Sequence, residues 1–271
     1  MSSTKPINLH FFRSSNGEKN FGDELSPLVV ELITERKVAW SKVSQCDIIG
    51  LGSIFEGVIK KLVRRRIRFN FEPIHVWGTG FIESGDLNIY KFQSNFKIHA
   101  VRGELSREKI NAPNVTLGDP GLLCKHLIQP QKKRIKVLIM PHIAHRDCTE
   151  IMHLKNEMAG ARVADLTQNP IQILKDISSS DIVISSSLHG LICADSLGVA
   201  NIRLDLSRGL KGGDYKFNDY NTSLNRLDCK IHGVEKEGEI KSLLDNTDFS
   251  YQTKVDELCE GLRQSFPKEL I

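Results

Sequence analysis

The chain has 271 residues, 40% hydrophobic and 26% charged, with 12 Phe, 2 Trp and a formal net charge of +4. This composition supports a buried core and excludes a disordered chain, while the length admits one large domain or two small ones. The small basic excess suits an anionic ligand and is too weak to indicate nucleic acid, for which no zinc finger, RNP-type aromatic pattern or basic tail speaks.

The start lacks a basic stretch followed by a long apolar one, and no apolar run approaches the roughly 20 residues of a spanning helix. Cys46, Cys124, Cys148, Cys193, Cys229 and Cys259 form no C-x-x-C pair. The expectation is a soluble, cytoplasmic protein in a reducing compartment, with free thiols.

Short β-branched or aromatic runs, each followed by Gly or polar residues and a helical pattern, mark an α/β protein with parallel strands. The first predicted strand, Ile7–Phe12, leads to Asn20-Phe-Gly22-Asp23, where Asp23 either caps a helix over Glu24–Leu32 or binds a sugar hydroxyl. The second, Asp47–Leu51, leads into Gly50-Leu-Gly52-Ser-Ile-Phe55. Phe55 stands where a dinucleotide fingerprint needs its third glycine and no acidic residue follows at the required distance, so a nicotinamide cofactor is not expected. The basic stretch Lys60–Arg68 follows Ile54, Phe55, Val58, Ile59, Leu62 and Val63 at helical spacing. It reads as an amphipathic helix with a solvated basic face; docking on an acidic bilayer is the sharper alternative.

Strands over Ile74–Trp77 and Phe96–Val101 precede Gly78-Thr-Gly80 and Arg102-Gly103. Arg102 there is suited to grip a carboxylate or phosphate bidentately, or to form a surface salt bridge. The polar, proline-containing Gln129–Arg134 divides the chain into an α/β half over 1–130 and another over 131–271, with a cleft between them. The second half carries strands Ile135–Met140, Ala161–Asp165, Asp181–Ser185 and Asn201–Asp205. Its closing helix, Gln252–Phe266, bears Val255, Leu258, Cys259, Leu262 and Phe266 on one stripe.

Ligands of open parallel sheets bind beyond the carboxyl ends of the strands, which directs attention to the loops. The strongest local signal is a buried strand, the turn Ser185-Ser186-Ser187-Leu188-His189-Gly190, and then a helix. Its helix N-terminus and serine hydroxyls suit an anion with His189 at the edge; alternatively the serines cap the helix and His189 packs against the sheet. His142, His145 and Cys148 have tolerable metal-ligand spacing but no second cluster, so no metal is expected. Neither a G-x-S-x-G elbow nor a P-loop is present.

Taken in order, Asn20-Phe-Gly-Asp-Glu-Leu-Ser26, Leu51-Gly-Ser53, Val76-Trp-Gly-Thr-Gly80, Ala100-Val-Arg-Gly103, Gly118-Asp-Pro-Gly-Leu-Leu123, Pro141-His142, Ile184-Ser-Ser-Ser-Leu-His-Gly-Leu191 and Lys216-Phe-Asn-Asp-Tyr220 span most of the chain. Together they resemble the polysaccharide pyruvyl transferase family. The resemblance implies two Rossmann-like halves with parallel sheets facing a cleft, as in GT-B glycosyltransferases. It implies phosphoenolpyruvate as donor substrate, no cofactor or required metal, and transfer of the pyruvyl group as a ketal to a sugar of an exopolysaccharide or capsule repeat unit. By position His189 matches the family's acid/base histidine and Arg102 its donor-binding arginine. Asn20, Gly22, Asp23, Gly80, His142, Ser186, Ser187, Leu188 and Lys216 fall to substrate binding. Ser187 stands where many relatives carry a second arginine, for which Arg208, Lys211 or Lys216 could substitute. The expected acceptor is a lipid-linked oligosaccharide at the inner face of the plasma membrane. A GT-B-type glycosyltransferase using a nucleotide sugar is the alternative enzyme, and a non-catalytic sugar-binding or assembly protein is the reading from another class.

Overall fold

Strands buried on both faces carry near-continuous β-branched runs because helices cover each side of a parallel sheet. The computed structural model describes residues 5–67, 69–85, 89–206, 209–227, 230–232, 245 and 250–271. The first sheet contains β1 (Ile7–His10), β2 (Val38–Trp40), β3 (Ile48–Ile49), β4 (Ile74–Trp77), β5 (Phe96–Val101) and β6 (Thr116–Leu117), all parallel, in the order β2-β1-β3-β4-β5-β6. The second contains β7 (Ile135–Met140), β8 (Ala161–Val163), β9 (Ser180–Ser185), β10 (Ala200–Asp205) and β11 (Lys230–His232), also parallel, in the order β11-β10-β9-β7-β8. The two halves are Rossmann-like, and in each the strand order reverses once, between β1 and β3 and between β7 and β9. Connections leaving neighbouring strands at a reversal turn to opposite faces, which opens a crevice at the strands' carboxyl ends.

Each of the eight predicted strands is present. The three additional ones, β2, β6 and β11, are edge strands of two or three residues without a fully buried run, so they carry little sequence signal.

Nine α-helices form among the described residues: α1 (Phe21–Thr34), α2 (Phe55–Ile59), α3 (Leu62–Ile67), α4 (Glu104–Lys109), α5 (Thr149–Glu157), α6 (Pro170–Ser178), α7 (Leu188–Ser196), α8 (Tyr215–Ser223) and α9 (Gln252–Ser265). α1 begins earlier than the sequence suggests. Asn20 holds the N-cap position and Asp23 lies inside the first turn, accepting a hydrogen bond from Asn20 Nδ2 at 2.7 Å. Asp23 is therefore not the cap.

The expected basic amphipathic helix is broken by a turn at Lys60-Lys61 into α2 and α3. Phe55, Val58, Ile59 and Leu62 are buried as their spacing predicts, but in α3 Arg65 is buried while Val63, expected on the apolar face, is exposed together with Ile67. Arg65 donates to the carbonyls of Val43 and Cys46 in the β2–β3 connection and of Glu72 before β4 at 2.7–3.1 Å. Arg68 lies outside the described residues.

α9 buries Val255, Leu258, Cys259 and Leu262, and returns to the first sheet. Trp77 Nε1 donates to the Leu262 carbonyl at 2.9 Å, and the Phe266 ring stands edge-on to Trp77 at 4.8 Å. One continuous core thus runs from β1 through α7 to α9.

A buried polar hub joins the elements of the second half. Asp195 of α7 accepts from Tyr220 and Tyr251 hydroxyls, from Asn201 Nδ2 and from both Arg226 terminal nitrogens at 2.7–2.9 Å. Asp195→Ala would strand the Tyr220 hydroxyl and a largely buried guanidinium, and is expected to cost about 3–5 kcal/mol of unfolding free energy, measured by urea denaturation. The five described cysteines are free, and Cys229 lies outside the described residues. Among the described residues no helix is long and apolar enough to cross a membrane.

Candidate active site

The loops after β7 and β9 meet at the second sheet's reversal. Ser185 Oγ lies 2.9 Å from the carbonyls of Met140 and Ser187 and accepts the Ser187 N–H at 3.0 Å. Any Cβ at Gly190 would overlap that hydroxyl. Ser186 Oγ accepts the His142 N–H at 2.9 Å and meets His145 Nδ1 at 2.9 Å, while His142 Nδ1 accepts the Ala144 N–H at 3.1 Å. Ser185 and Ser186 therefore tie two turns together, whereas the sequence suggested free donors for a ligand. Ser187 occupies the N-cap of α7 without a side-chain cap bond, so the serines do not cap the helix. Among the described residues the N–H groups of Leu188 and His189 find no backbone acceptor, which leaves them, with the Ser187 hydroxyl, as free donors at the N-terminal end of α7.

His189 reaches across the cleft. A Cβ on Gly22 would come within 2.6 Å of its Cγ, so the imidazole lies against the first turn of α1 rather than against its own sheet. The same turn is held to the second half by the Phe21 N–H, which donates to the Leu166 carbonyl at 2.9 Å. His189 Nε2 is shielded from solvent and has no hydrogen-bond partner among the described residues. Burial pushes the His189 pKa down to about 3, with Lys216, then Arg102, then His142 adding to the effect. Burial, Lys216 and His145 lower His142 to about 4. Both rings are neutral at pH 7 before a ligand binds.

Lys216, on α8, is 8% exposed and makes no hydrogen bond or ion pair among the described residues; its ammonium lies 5.2 Å from the centre of the Phe217 ring. Burial, then Arg102 and Arg203, lower its pKa to about 8, so it remains mainly charged at pH 7. Of the other cations considered, Lys211 is exposed and Arg208 lies outside the described residues.

Arg102 differs from expectation. It is fully buried, and its guanidinium is already held rather than projecting over the cleft. Nε donates to Asp219 Oδ2 at 2.9 Å, one terminal nitrogen to Ser53 Oγ at 2.6 Å and the other to the Phe81 carbonyl at 2.7 Å. Asp219 also accepts the N–H and hydroxyl of Ser106 at 2.8 and 2.7 Å. Two glycines make the room: a Cβ on Gly80 would lie 2.5 Å from Arg102 Cζ, and one on Gly103 would overlap the Asp219 carbonyl. Arg102 from the first half and Asp219 from the second thus form a fully buried ion pair between them.

Asp219 and Asp119 are the site residues that sequence reasoning missed. Asp119 accepts the Gly121 N–H at 2.9 Å through Oδ1, while its buried Oδ2 has no partner among the described residues; burial lifts its pKa to about 6. Burial likewise raises Asp23 to about 6. Both lie in segments singled out by their order along the chain, but an acidic residue in a short motif does not announce its burial.

Among the described residues no group of three His, Cys, Asp or Glu side chains is placed to hold a metal ion. The His142 and His145 rings are 6.0 Å apart, each with Nδ1 engaged.

Comparison with known proteins gives this geometry a context. The family described as polysaccharide pyruvyl transferase matches residues 4–208. The chain belongs to that family. Polysaccharide pyruvyl transferases give it a pyruvyl-transfer role in polysaccharide biosynthesis. It is similar to an uncharacterised protein of Acanthamoeba polyphaga mimivirus, 26% identical over 93% of this chain and 85% of that one. It is also similar to the succinoglycan biosynthesis protein ExoV of Rhizobium meliloti, 22% identical over 79% of this chain and 64% of ExoV. A crystal structure of an uncharacterised Klebsiella pneumoniae protein aligns over 83% of this chain and 92% of its own, with a TM-score of 0.49 and 14% identity. The matched region contains every residue the sequence assigned to the site except Lys216.

Proposed function

We propose that this pyruvyl transferase takes its pyruvyl group from phosphoenolpyruvate and sets it on two hydroxyls of one sugar as a ketal, releasing phosphate. The observation that carries the reading is Lys216, a buried ammonium without an acceptor whose charge acts on the solvent-shielded His189 imidazole. An unpartnered buried charge is costly, and a small, multiply charged anion at the open end of α7 would relieve it.

The donor's phosphate and carboxylate bring negative charge that offsets Lys216 and Arg102, which favours the imidazolium form of His189. His189 then gives its proton to the methylene carbon, leaving an oxocarbenium-like centre that the first sugar hydroxyl attacks with loss of its proton. The product is a tetrahedral ketal phosphate. Phosphate departs, the second hydroxyl attacks and loses its proton, and the ring closes. The acceptor gives up two protons, one replacing that used at the methylene carbon and the other leaving with phosphate. Asp23, beside Gly22, would hold an acceptor hydroxyl, and Arg102 positions the first-half loops through Ser53 and Phe81.

The test is phosphate release from phosphoenolpyruvate, with and without lipid-linked oligosaccharides. Acceptor-dependent release is expected, and Lys216→Met should raise KM for the donor about 10- to 100-fold, the value of a charged hydrogen bond, with a smaller change in kcat. Turnover of a nucleotide sugar with no phosphate release would replace this reading by a glycosyltransferase.

A further inference from the structure

We propose that the face formed by α3 and the turn after it docks on an anionic phospholipid bilayer. Val63 and Ile67, four residues apart on one side of α3, are 64% and 70% exposed; Phe69 and Phe71 follow at 84% and 71%. A ridge of four large apolar side chains in one short stretch is an interaction surface rather than scattered exposure. Phe69 also has φ +54°, a left-handed backbone disfavoured for a bulky residue, and its ring gains little burial in return.

Beside the ridge lies a cavity of about 420 Å³, lined among others by His10, Trp40, Lys42, Lys61, Arg64 and Ile67. No carboxylate lines it, and Lys42, Lys61 and Arg64 form no ion pair among the described residues. Ile67 belongs to both ridge and cavity, so the apolar and cationic parts form one surface. Apolar tips beside unpaired Lys and Arg suit the headgroup layer of a bilayer, with Trp40 beside them and a cavity large enough to admit an anionic headgroup. Protein interfaces instead deplete lysine, which favours lipid over a protein partner. The surface does not depend on the identity of the pyruvyl donor.

The full chain should be sedimented with phosphatidylcholine vesicles lacking or containing phosphatidylglycerol, in the absence of phosphoenolpyruvate. Binding is expected only with phosphatidylglycerol, weakening with salt and falling at least about tenfold in Lys42→Glu/Lys61→Glu, given roughly fivefold per cation. Phe69→Asn/Phe71→Ser should also weaken it while leaving the melting temperature unchanged, since both rings are exposed and Asn tolerates the left-handed backbone. Failure of the full chain to bind, or wild-type binding by both double variants, overturns the proposal. So does a dimer, seen by size exclusion, that the phenylalanine variant dissociates while vesicles remain unbound: the ridge would then be covered by a second copy.

Discussion

His189→Ala is expected to reduce kcat for phosphate release by about 10²–10⁴, the contribution of a positioned general acid, while donor binding measured by calorimetry changes little. The separation follows from the architecture. The donor's charge would be held by Lys216 and by the N–H groups of Leu188 and His189, and the substitution touches none of these. Gly22→Ala should reproduce the loss without removing any titratable group, because its Cβ would displace the imidazole. It would leave α1 a better helix former, so a fold defect is not the expected cause of lost activity. The pH profile supplies a further readout. In the free enzyme burial first, then Lys216, hold the His189 pKa down at about 3, so kcat/KM falls as pH rises above about 3. Lys216→Met removes a like charge, raises that pKa and moves the decline to higher pH. Near-normal turnover by His189→Ala would remove the histidine from the mechanism.

Asp219→Ala should lower unfolding free energy by about 3–5 kcal/mol, because it leaves the Arg102 guanidinium buried beside Ser53 and the Phe81 carbonyl with no counter-charge. Activity should fall with it, since the loops carrying Ser53 and Gly80 are placed by that guanidinium. A double variant, Arg102→Met/Asp219→Leu, should unfold at a higher urea concentration than Asp219→Ala, since it removes both desolvated charges together. A double variant no more stable than the single one would show that packing at α8, not the ion pair, sets the stability.

The sequence made the interior of the two sheets legible because β4 and most of β7 are buried runs with polar punctuation, and the limits of β4, β5 and β7 fall where expected. The turn carrying His189 was legible for a related reason: a serine-rich segment between a buried strand and a helix sits at the strands' carboxyl ends. The state of Arg102 was not. Its partner lies 117 residues away on another element, and no local pattern distinguishes a guanidinium reaching for a ligand from one already held. The same limit governs α3, where periodicity carried through Lys60 and Lys61 places Leu62 correctly but misplaces Val63 and Arg65. Ser185 and Ser186 look like ligand donors in one dimension, whereas in three they serve the loop after β7.

The hydrogen bond from Trp77 to Leu262 joins residues 185 positions apart, and the indole it anchors sits at the centre of the first sheet. During synthesis β1 to β6 leave the ribosome long before α9 does. Until Leu262 and Phe266 emerge, the Trp77 N–H has no acceptor and one side of its ring has no neighbour. The nascent first half must therefore wait, incompletely packed, through the translation of the second, an interval in which its exposed apolar surface is open to chaperones and to aggregation.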